Sequence, residues 1–298
     1  MKVAVSVSLG SNARDHEASI RILGETVVIR REGTNGDIKL AQKKMREYDG
    51  KVDALGVGGT DLYLRVADRY YKLHGSWKMI KQVKHTPVVD GNGLKTTLES
   101  QLASFLEEHF DLLNEEKKVL VTSAVDRYGM AKSFVQAGFD TIMGDFIFAL
   151  GIPIKIRTLT GVRRLARMLL PIVGRLPLSM IYPTGEKQLQ NTPKHKKLFE
   201  WATIIAGDFH YIRRYAPLDL SGKIIVTNTT TLDDLEFLKE RGVTHVITST
   251  PMLDGRTFGT NALEAGITAA TGKGRPLSDQ ELFEVVREEK LKPTLHRL

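Results

Sequence analysis

The hydrophobic positions of this chain come in short unbroken runs rather than in alternation. Nine runs recur: "VAVSVSLGS" from Val3, "TVVIRREGTNGD" from Thr26, "VDALGVGGTD" from Val52, "TPVVDGNG" from Thr86, "KVLVTSAVD" from Lys118, "TIMGD" from Thr141, "TIIAGD" from Thr203, "KIIVTNTT" from Lys223 and "HVITSTP" from His245. Most close on a small or acidic residue, after which a helical pattern begins. Unbroken apolar runs mark strands covered on both faces, and helical segments between them mark parallel strands joined by crossovers. The predicted fold class is α/β with largely parallel sheets.

Between the runs, "IKLAQKKMREYDG" and "LDDLEFLKERG" have helical periodicity and finish in glycine. "LYLRVADRYYKLHG" has two β-prone halves around "AD" and reads as a hairpin or an added antiparallel edge. "LKTTLESQLASFLEEHFDLLNEEKK" reads as one long helix with a charged tail, which places a domain boundary near residue 115. The carboxyl end, "SDQELFEVVREEKLKP", reads as one capped helix. No repeat or low-complexity stretch is visible, and 298 residues suit two domains, at about 100–200 residues each. The division is 1–115 and 116–298, the second domain Rossmann-like with a helical insertion at about 157–200.

Composition narrows this picture. With 42% hydrophobic and 26% charged residues the chain resembles a soluble globular protein, and no segment approaches the ~20 apolar residues of a membrane span. "MKVAVSVSLGSN" reads as a strand rather than an export signal, and zero cysteines exclude disulfides and thiolate chemistry. Together these predict a cytoplasmic protein. The net charge of +8 favours phosphates, carboxylates or nucleic acid. Nucleic acid is disfavoured because the densest basic cluster, Arg157 to Arg175, is spaced through leucines without aromatics. That stretch, "LTGVRRLARMLLPIVGRLPLSMIYPTGEK", reads as a broken helix packing over a domain or a homodimer interface; a membrane-surface helix is the other reading. The eight histidines show no metal-ligand spacing, so no metal is expected.

Ligands of open parallel sheets bind at the carboxyl ends of strands. Those ends carry Ser8, Ser11, Asp61, Asp90, Ser123, Asp126, Arg127, Asp145, Asp208, His210, Asn228 and Thr229. Helix capping accounts for serines, threonines and aspartates at such places equally well. "KVLVTSAVDRYGMAKSFVQAGFDTIMGD" has the layout of a dinucleotide unit, with the turn at Ser123, Asp126 and Arg127 against a pyrophosphate and Asp145 on a ribose. Only Gly129 remains of the glycine fingerprint, so a plain crossover is the alternative. "GDFHYIRRY" gathers Asp208, His210, Tyr211, Arg213 and Arg214, a set suited to an anionic, hydroxylated ligand, or else a capped surface loop.

Three stretches together resemble the shikimate and quinate 5-dehydrogenase family. "DGNGL", from Asp90 through Asn92, is similar to that family's Asp-Gly-x-Gly segment, whose aspartate belongs to a catalytic lysine–aspartate pair. "IIVTNTT", with Asn228 and Thr229, resembles its cofactor-domain strand end, and "DGRTFGTNALEAGITAATGKG" its late segment where glycine opens a helix returning to the substrate. The resemblance implies a substrate domain, then a cofactor domain binding NAD or NADP, with a small anionic metabolite in the cleft between them. Asp90 would orient the base, and Ser8 and Ser11 would hold the substrate carboxylate beside Asp61 and Asn92. Two features depart from the pattern: "ALGVGGTDLYL" has no lysine where the family has one, leaving Lys95 as replacement, and the phosphate loop lacks two glycines. A non-redox two-domain binding protein, or a transferase using His210 as base, is the alternative.

Overall fold

A computed structural model describes residues 1–113, 116–181, 190–253 and 256–298. The chain opens with β1 (Lys2–Ser8), a short 3-10 turn, the antiparallel pair β2 (His16–Ile22) and β3 (Glu25–Gly33), α1 (Ile38–Tyr48) and β4 (Ala54–Gly58). The hairpin β5 (Tyr63–Val66) and β6 (Arg69–Lys72), α2 (His74–Ile80), β7 (Val88–Val89), α3 (Asn92–Glu99) and α4 (Leu102–His109) follow. Next come β8 (Lys118–Val121), α5 (Tyr128–Gln136), β9 (Asp140–Met143), α6 (Asp145–Phe148), α7 (Leu159–Val173), α8 (Leu178–Ile181), α9 (Lys196–Trp201), β10 (Ile204–Ala206) and α10 (Phe209–Tyr215). The chain ends with β11 (Ile224–Thr227), α11 (Leu232–Lys239), β12 (His245–Thr248), the short β13 (Met252–Leu253) and β14 (Arg256–Thr257), α12 (Thr260–Thr271), α13 (Asp279–Glu288) and β15 (Thr294–Arg297).

All nine apolar runs are strands, in two largely parallel sheets: β2-β3-β1-β4-β7 and β15-β12-β11-β10-β8-β9. Side chains of the second sheet alternate between two cores. Val119 and Val121 face α4, α5 and α7, while Leu120 faces α9 and α10. Burial on both faces explains why these strands read as continuous apolar runs. The order of the second sheet is doubly wound and Rossmann-like in the broad sense, with a switch point between β8 and β10, the strand-1/strand-3 position of the 2-1-3-4-5 order. The antiparallel edges β2 and β15 carry charged residues and only partial burial, so a search for continuous runs passes over them.

Other expectations are refined. "LYLRVADRYYKLHG" forms the β5–β6 hairpin, turning at Ala67 and Asp68. The long helix divides into α3 and α4 at Ser100 and Gln101, and the expected boundary residue 115 lies outside the described residues. The insertion at 157–200 supplies α7, α8 and α9, with 182–189 outside the described residues. No helix among the described residues is long and apolar enough to cross a membrane.

The two halves of the chain do not divide cleanly at 115. Helices α12 and α13 return to the first sheet, where Leu263, Ile267, Leu282 and Val286 share a core with Ala4, Ile20, Val27, Ile29 and Leu94. Conversely, Leu64, Val66 and Leu73 around the hairpin pack into the second sheet's core. The return fixes the meaning of Gly91. It caps α3 in the left-handed region (φ 89°), and a Cβ there would lie 2.5 Å from the Asn261 nitrogen and 2.8 Å from the Thr260 carbonyl carbon. Its missing side chain admits the first turn of α12, not a ligand.

This yields a stability comparison. Gly91→Ala and Gly222→Ala both place alanine in the left-handed region, a strain of about 1–2 kcal/mol. Gly222 (φ 72°) faces open space. Urea denaturation should therefore show Gly91→Ala destabilising by clearly more than Gly222→Ala; equal effects would mean α12 does not press on Gly91.

Candidate functional site

The carboxyl ends of β4, β8 and β10 meet around one face of α3. Lys95, nearly buried on α3, places its Nζ 3.1 Å from Asp126 Oδ1 in the turn after β8, and 3.8 Å from Asp61 Oδ1 in the loop after β4. One helical turn on, buried Glu99 accepts from Arg127 Nη1 at 3.0 Å, and Arg127 Nη2 donates to Asp208 Oδ2 at 2.7 Å after β10. Arg127 Nε also lies 3.2 Å from Asp126 Oδ2. Four carboxylates (Asp61, Glu99, Asp126, Asp208) thus surround two cations, Lys95 and Arg127, and join residues from both sheets.

The surroundings sort these groups by protonation. Burial alone would lower Lys95, but Asp126 and Asp61 outweigh it, so its pKa is raised and the ammonium stays charged. Asp61 is pushed up to about 7, by burial first and then by Asp126 and Asp90, against the opposing pull of Lys95. Burial also acts on Asp208, yet Arg127, His210 and their hydrogen bonds bring it down to about 2. The Tyr211 phenol is raised by burial and by Asp126, Asp208 and Asp145, and remains a neutral hydroxyl beside them. Asn228 steadies Asp208 through its Nδ2 (3.1 Å), and Asp208 caps α10 by accepting from the His210 amide (3.0 Å). Thr229 lies half-buried beyond it.

Several expected site residues have other work. Asp90 is no partner of Lys95: its carboxylate accepts from the amides of Leu62 (2.7 Å), Tyr63 (3.3 Å) and Asn92 (3.1 Å) and from Asn92 Nδ2 (2.8 Å). It clamps the loop carrying Asp61 onto the start of α3, and Asn92 completes the clamp by donating to the Tyr63 carbonyl (2.7 Å). Ser8 accepts from Gly10 N and Arg31 Nη2, and Ser11 caps the 3-10 turn through Ala13 N. Arg213 is paired with Asp234 (2.6 Å) over the Phe237 ring, and exposed Arg214 lies over Tyr215. Neither arginine is left as an anion anchor in the group, because each has a nearer partner.

The turn expected to hold a pyrophosphate is filled from within. Asp145 accepts from the amides of Ala124 (3.1 Å) and Val125 (2.8 Å), and Glu99 accepts from the Met130 amide (3.1 Å) at the start of α5. A Cβ on Gly129 would meet Glu99 Oε2 at 3.1 Å, so this glycine serves the approach of α3 to α5. Ser123 Oγ accepts from Asp208 N (3.2 Å), tying the turn to β10. A pyrophosphate here would compete with two resident carboxylates and add negative charge beside Asp126 and Asp208. The residues present do not fit that group at this turn: Ser123, Asp126, Arg127 and Asp145 are each engaged by other protein groups, and Gly129 lies against Glu99 rather than against a phosphate. Asn228 is likewise engaged with Asp208.

Two buried acids escaped the sequence reading. Glu99 looks like the solvated partner of Lys95 at i,i+4. Glu264 is the one charged residue of α12, an isolation that could have flagged it. Its Oε2 accepts from the Leu94 amide (2.8 Å), and burial, with Asp90 and Asp279 adding to it, pushes its carboxyl up to about 8. Among the described residues no three His, Asp or Glu side chains are placed to hold a metal ion.

A family model described as Domain of unknown function (DUF8754) matches residues 93–298, and one described as Domain of unknown function (DUF8753) matches 3–90. The two meet at the start of α3. No curated protein matches the sequence. Among solved structures, a Mycobacterium smegmatis protein is similar at 11% identity, over 97% of this chain and 95% of that one, with a TM-score of 0.35. Entamoeba histolytica malic enzyme gives 11% identity over 96% of this chain and 61% of its own, with a TM-score of 0.40. The NAD-dependent malic enzyme of Thermotoga maritima gives 12% over 95% and 84%, with a TM-score of 0.36.

The buried Glu264 has a pH signature. Its folded pKa of about 8 lies above the unfolded value of ~4.3. Between the two the folded state holds a proton that the unfolded state has released, so the acid contributes a loss of stability as pH rises through that window. Glu264→Gln keeps an acceptor for the Leu94 amide and removes the dependence. Its urea midpoint should climb relative to wild type between about pH 5 and about pH 8; a constant difference would show that Glu264 is ionised throughout.

Proposed function

We propose, for a chain that belongs to the family described as Domain of unknown function (DUF8754), that the group around Lys95 is an acid–base site for a small hydroxylated metabolite. The observation that carries this reading is the Asp61–Lys95–Asp126 contact, in which a permanently charged ammonium sits beside a carboxyl pushed up to about 7. A group titrating near neutral pH can both take and return a proton. In this reading Asp61 receives the proton of a substrate hydroxyl, and Lys95 steadies the oxygen that is left negative. Asp90 is a positioning residue, since its four hydrogen bonds hold the Asp61 loop in place.

The finer assignment, oxidation of a quinate- or shikimate-like hydroxy acid with NAD or NADP, draws on the family resemblance. It gains one support from the contacts: the lysine missing from "ALGVGGTDLYL" has its counterpart in Lys95, while Asp61 supplies the carboxylate from that loop. In this reading the lysine–aspartate pair has its two positions exchanged. The self-filled turn after β8 favours a second, non-redox reading, a two-domain binding protein or a transferase.

Thermal shifts with quinate, shikimate, NAD and NADP separate these readings, because a ligand that binds only the folded state raises its stability. A shift with a hydroxy acid alone supports the non-redox form; shifts with both classes support the oxidoreductase. On the substrate so identified, wild-type turnover should rise with pH through a limb near 7, where Asp61 loses its proton. Asp61→Asn should remove the limb and lower turnover at least a hundredfold, a barrier increase of ~2.7 kcal/mol. A fully active Asp61→Asn enzyme ends the acid–base reading.

A further inference from the structure

The net charge of +8 is not explained by the site around Lys95, where carboxylates outnumber cations. Four arginines gather instead where the tip of the β5–β6 hairpin meets α7. Asp68 and Arg69 from the hairpin, and Thr160, Arg163, Arg164 and Arg167 from α7, line an open cavity of about 320 Å³. The geometry points to this cavity as a binding site for a small polyanion carrying two or more phosphate groups.

Three observations support the assignment. First, Arg69, Arg163, Arg164 and Arg167 line one cavity, and none of the four forms an ion pair with Asp68 or with any other described carboxylate. Arg163 Nη2 makes one contact, to Thr160 Oγ1 at 3.0 Å, which fixes its guanidinium at the rim. Arginine cannot shed its proton to relieve crowding, so the repulsion among four guanidiniums has one acid nearby, Asp68, to offset it. An anion supplies the missing charge.

Second, the cations come from two separate elements held rigidly together. The inner face of α7, through Val162, Leu165, Ala166 and Leu170, packs in the same core as Leu64 and Val66 of the hairpin. Arg69 is therefore pre-positioned opposite Arg163 and Arg167, which stand one helical turn apart on α7. Planar guanidiniums arranged in this way grip phosphate oxygens in pairs. The first turn of a 15-residue helix adds its own positive end.

Third, size and lining favour a compact ligand over a macromolecule. The volume lies at the lower end of the ~300–1,000 Å³ typical of small-molecule sites. No aromatic ring lines it, so it lacks the stacking platforms of a single-stranded nucleic-acid groove. A membrane surface would instead use the exposed Met168 and Ile172, which lie outside the cavity lining.

The test is calorimetric titration of the intact chain with inorganic pyrophosphate, alongside orthophosphate. Saturable one-site binding is expected, tighter for pyrophosphate and weakening as salt rises. Arg69→Gln and Arg163→Gln should each weaken it at least tenfold, with Arg275→Gln, outside the cavity lining and paired with Glu281, as an unaffected control. These side chains are exposed, and unchanged melting curves confirm that the variants fold. Absence of saturable binding, or equal affinity in Arg69→Gln, overturns the proposal. So does tighter binding to vesicles of anionic lipid that is lost in Met168→Ser and not displaced by pyrophosphate, since that outcome makes this a lipid-facing surface.

Discussion

The guanidinium of Arg127 is the contact on which this architecture turns. It is buried, it cannot lose its charge, and it is shared between Glu99 on α3 and Asp208 after β10. Withdrawing it would leave the buried carboxylate of Glu99 and the half-buried one of Asp208 without their cation, a situation that costs about 3–5 kcal/mol when one partner of a buried pair is removed. Its position also dictates its neighbours. Asp126, next in the chain, turns to Lys95, and Lys95 in turn reaches Asp61, so a single fixed charge sets the order of a row of groups running between the sheets.

That row also accounts for the peculiarities of the turn after β8. In a dinucleotide-binding turn, backbone amides are kept for a ligand's phosphates. Here Asp145 and Glu99 take those amides, and the burial of Asp145 pushes its carboxyl up to about 6. The same scaffold that elsewhere receives an external anion has internalised two of its own, while three arginines without a carboxylate partner stand on α7.

Much of the fold was legible in the sequence because strands buried on both faces announce themselves as unbroken apolar runs. The capped helix at the carboxyl end was equally plain, since Ser278 and Glu281 form the reciprocal cap their spacing implies. The antiparallel edges were harder to see: β2 buries little of its length and alternates charge with apolar residues. The site was half legible. Lys95, Asp61, Asp126, Arg127 and Asp208 stand out as candidates, and contacts bring them together, with the Tyr211 phenol within their electrostatic reach. Their partnerships are not readable, because whether Asp90 or Asp61 faces Lys95 depends on two amides of one loop and a third at the start of α3 converging on Asp90. Glycine spacing misled for a similar reason. Gly91 and Gly129 do mark close approaches, but of helices α12 and α3 rather than of a ligand.

The return of α12 to the first sheet has a consequence for how the chain is made. The Leu94 amide finds its carboxylate 170 residues later, at Glu264. During synthesis, the strands β1, β3 and β4 leave the ribosome long before the helices that cover one of their faces. The second sheet, whose strands β8 to β12 lie close together in sequence, can close around its own helices first. Long-range contacts of the first kind form slowly, because the ends of a long loop must find each other. Ala4, Ile20, Val27 and Ile29 of the amino-terminal sheet therefore stay uncovered on that face until α12 and α13 have been made, and only β15, the edge strand of the second sheet, follows those helices in the fold.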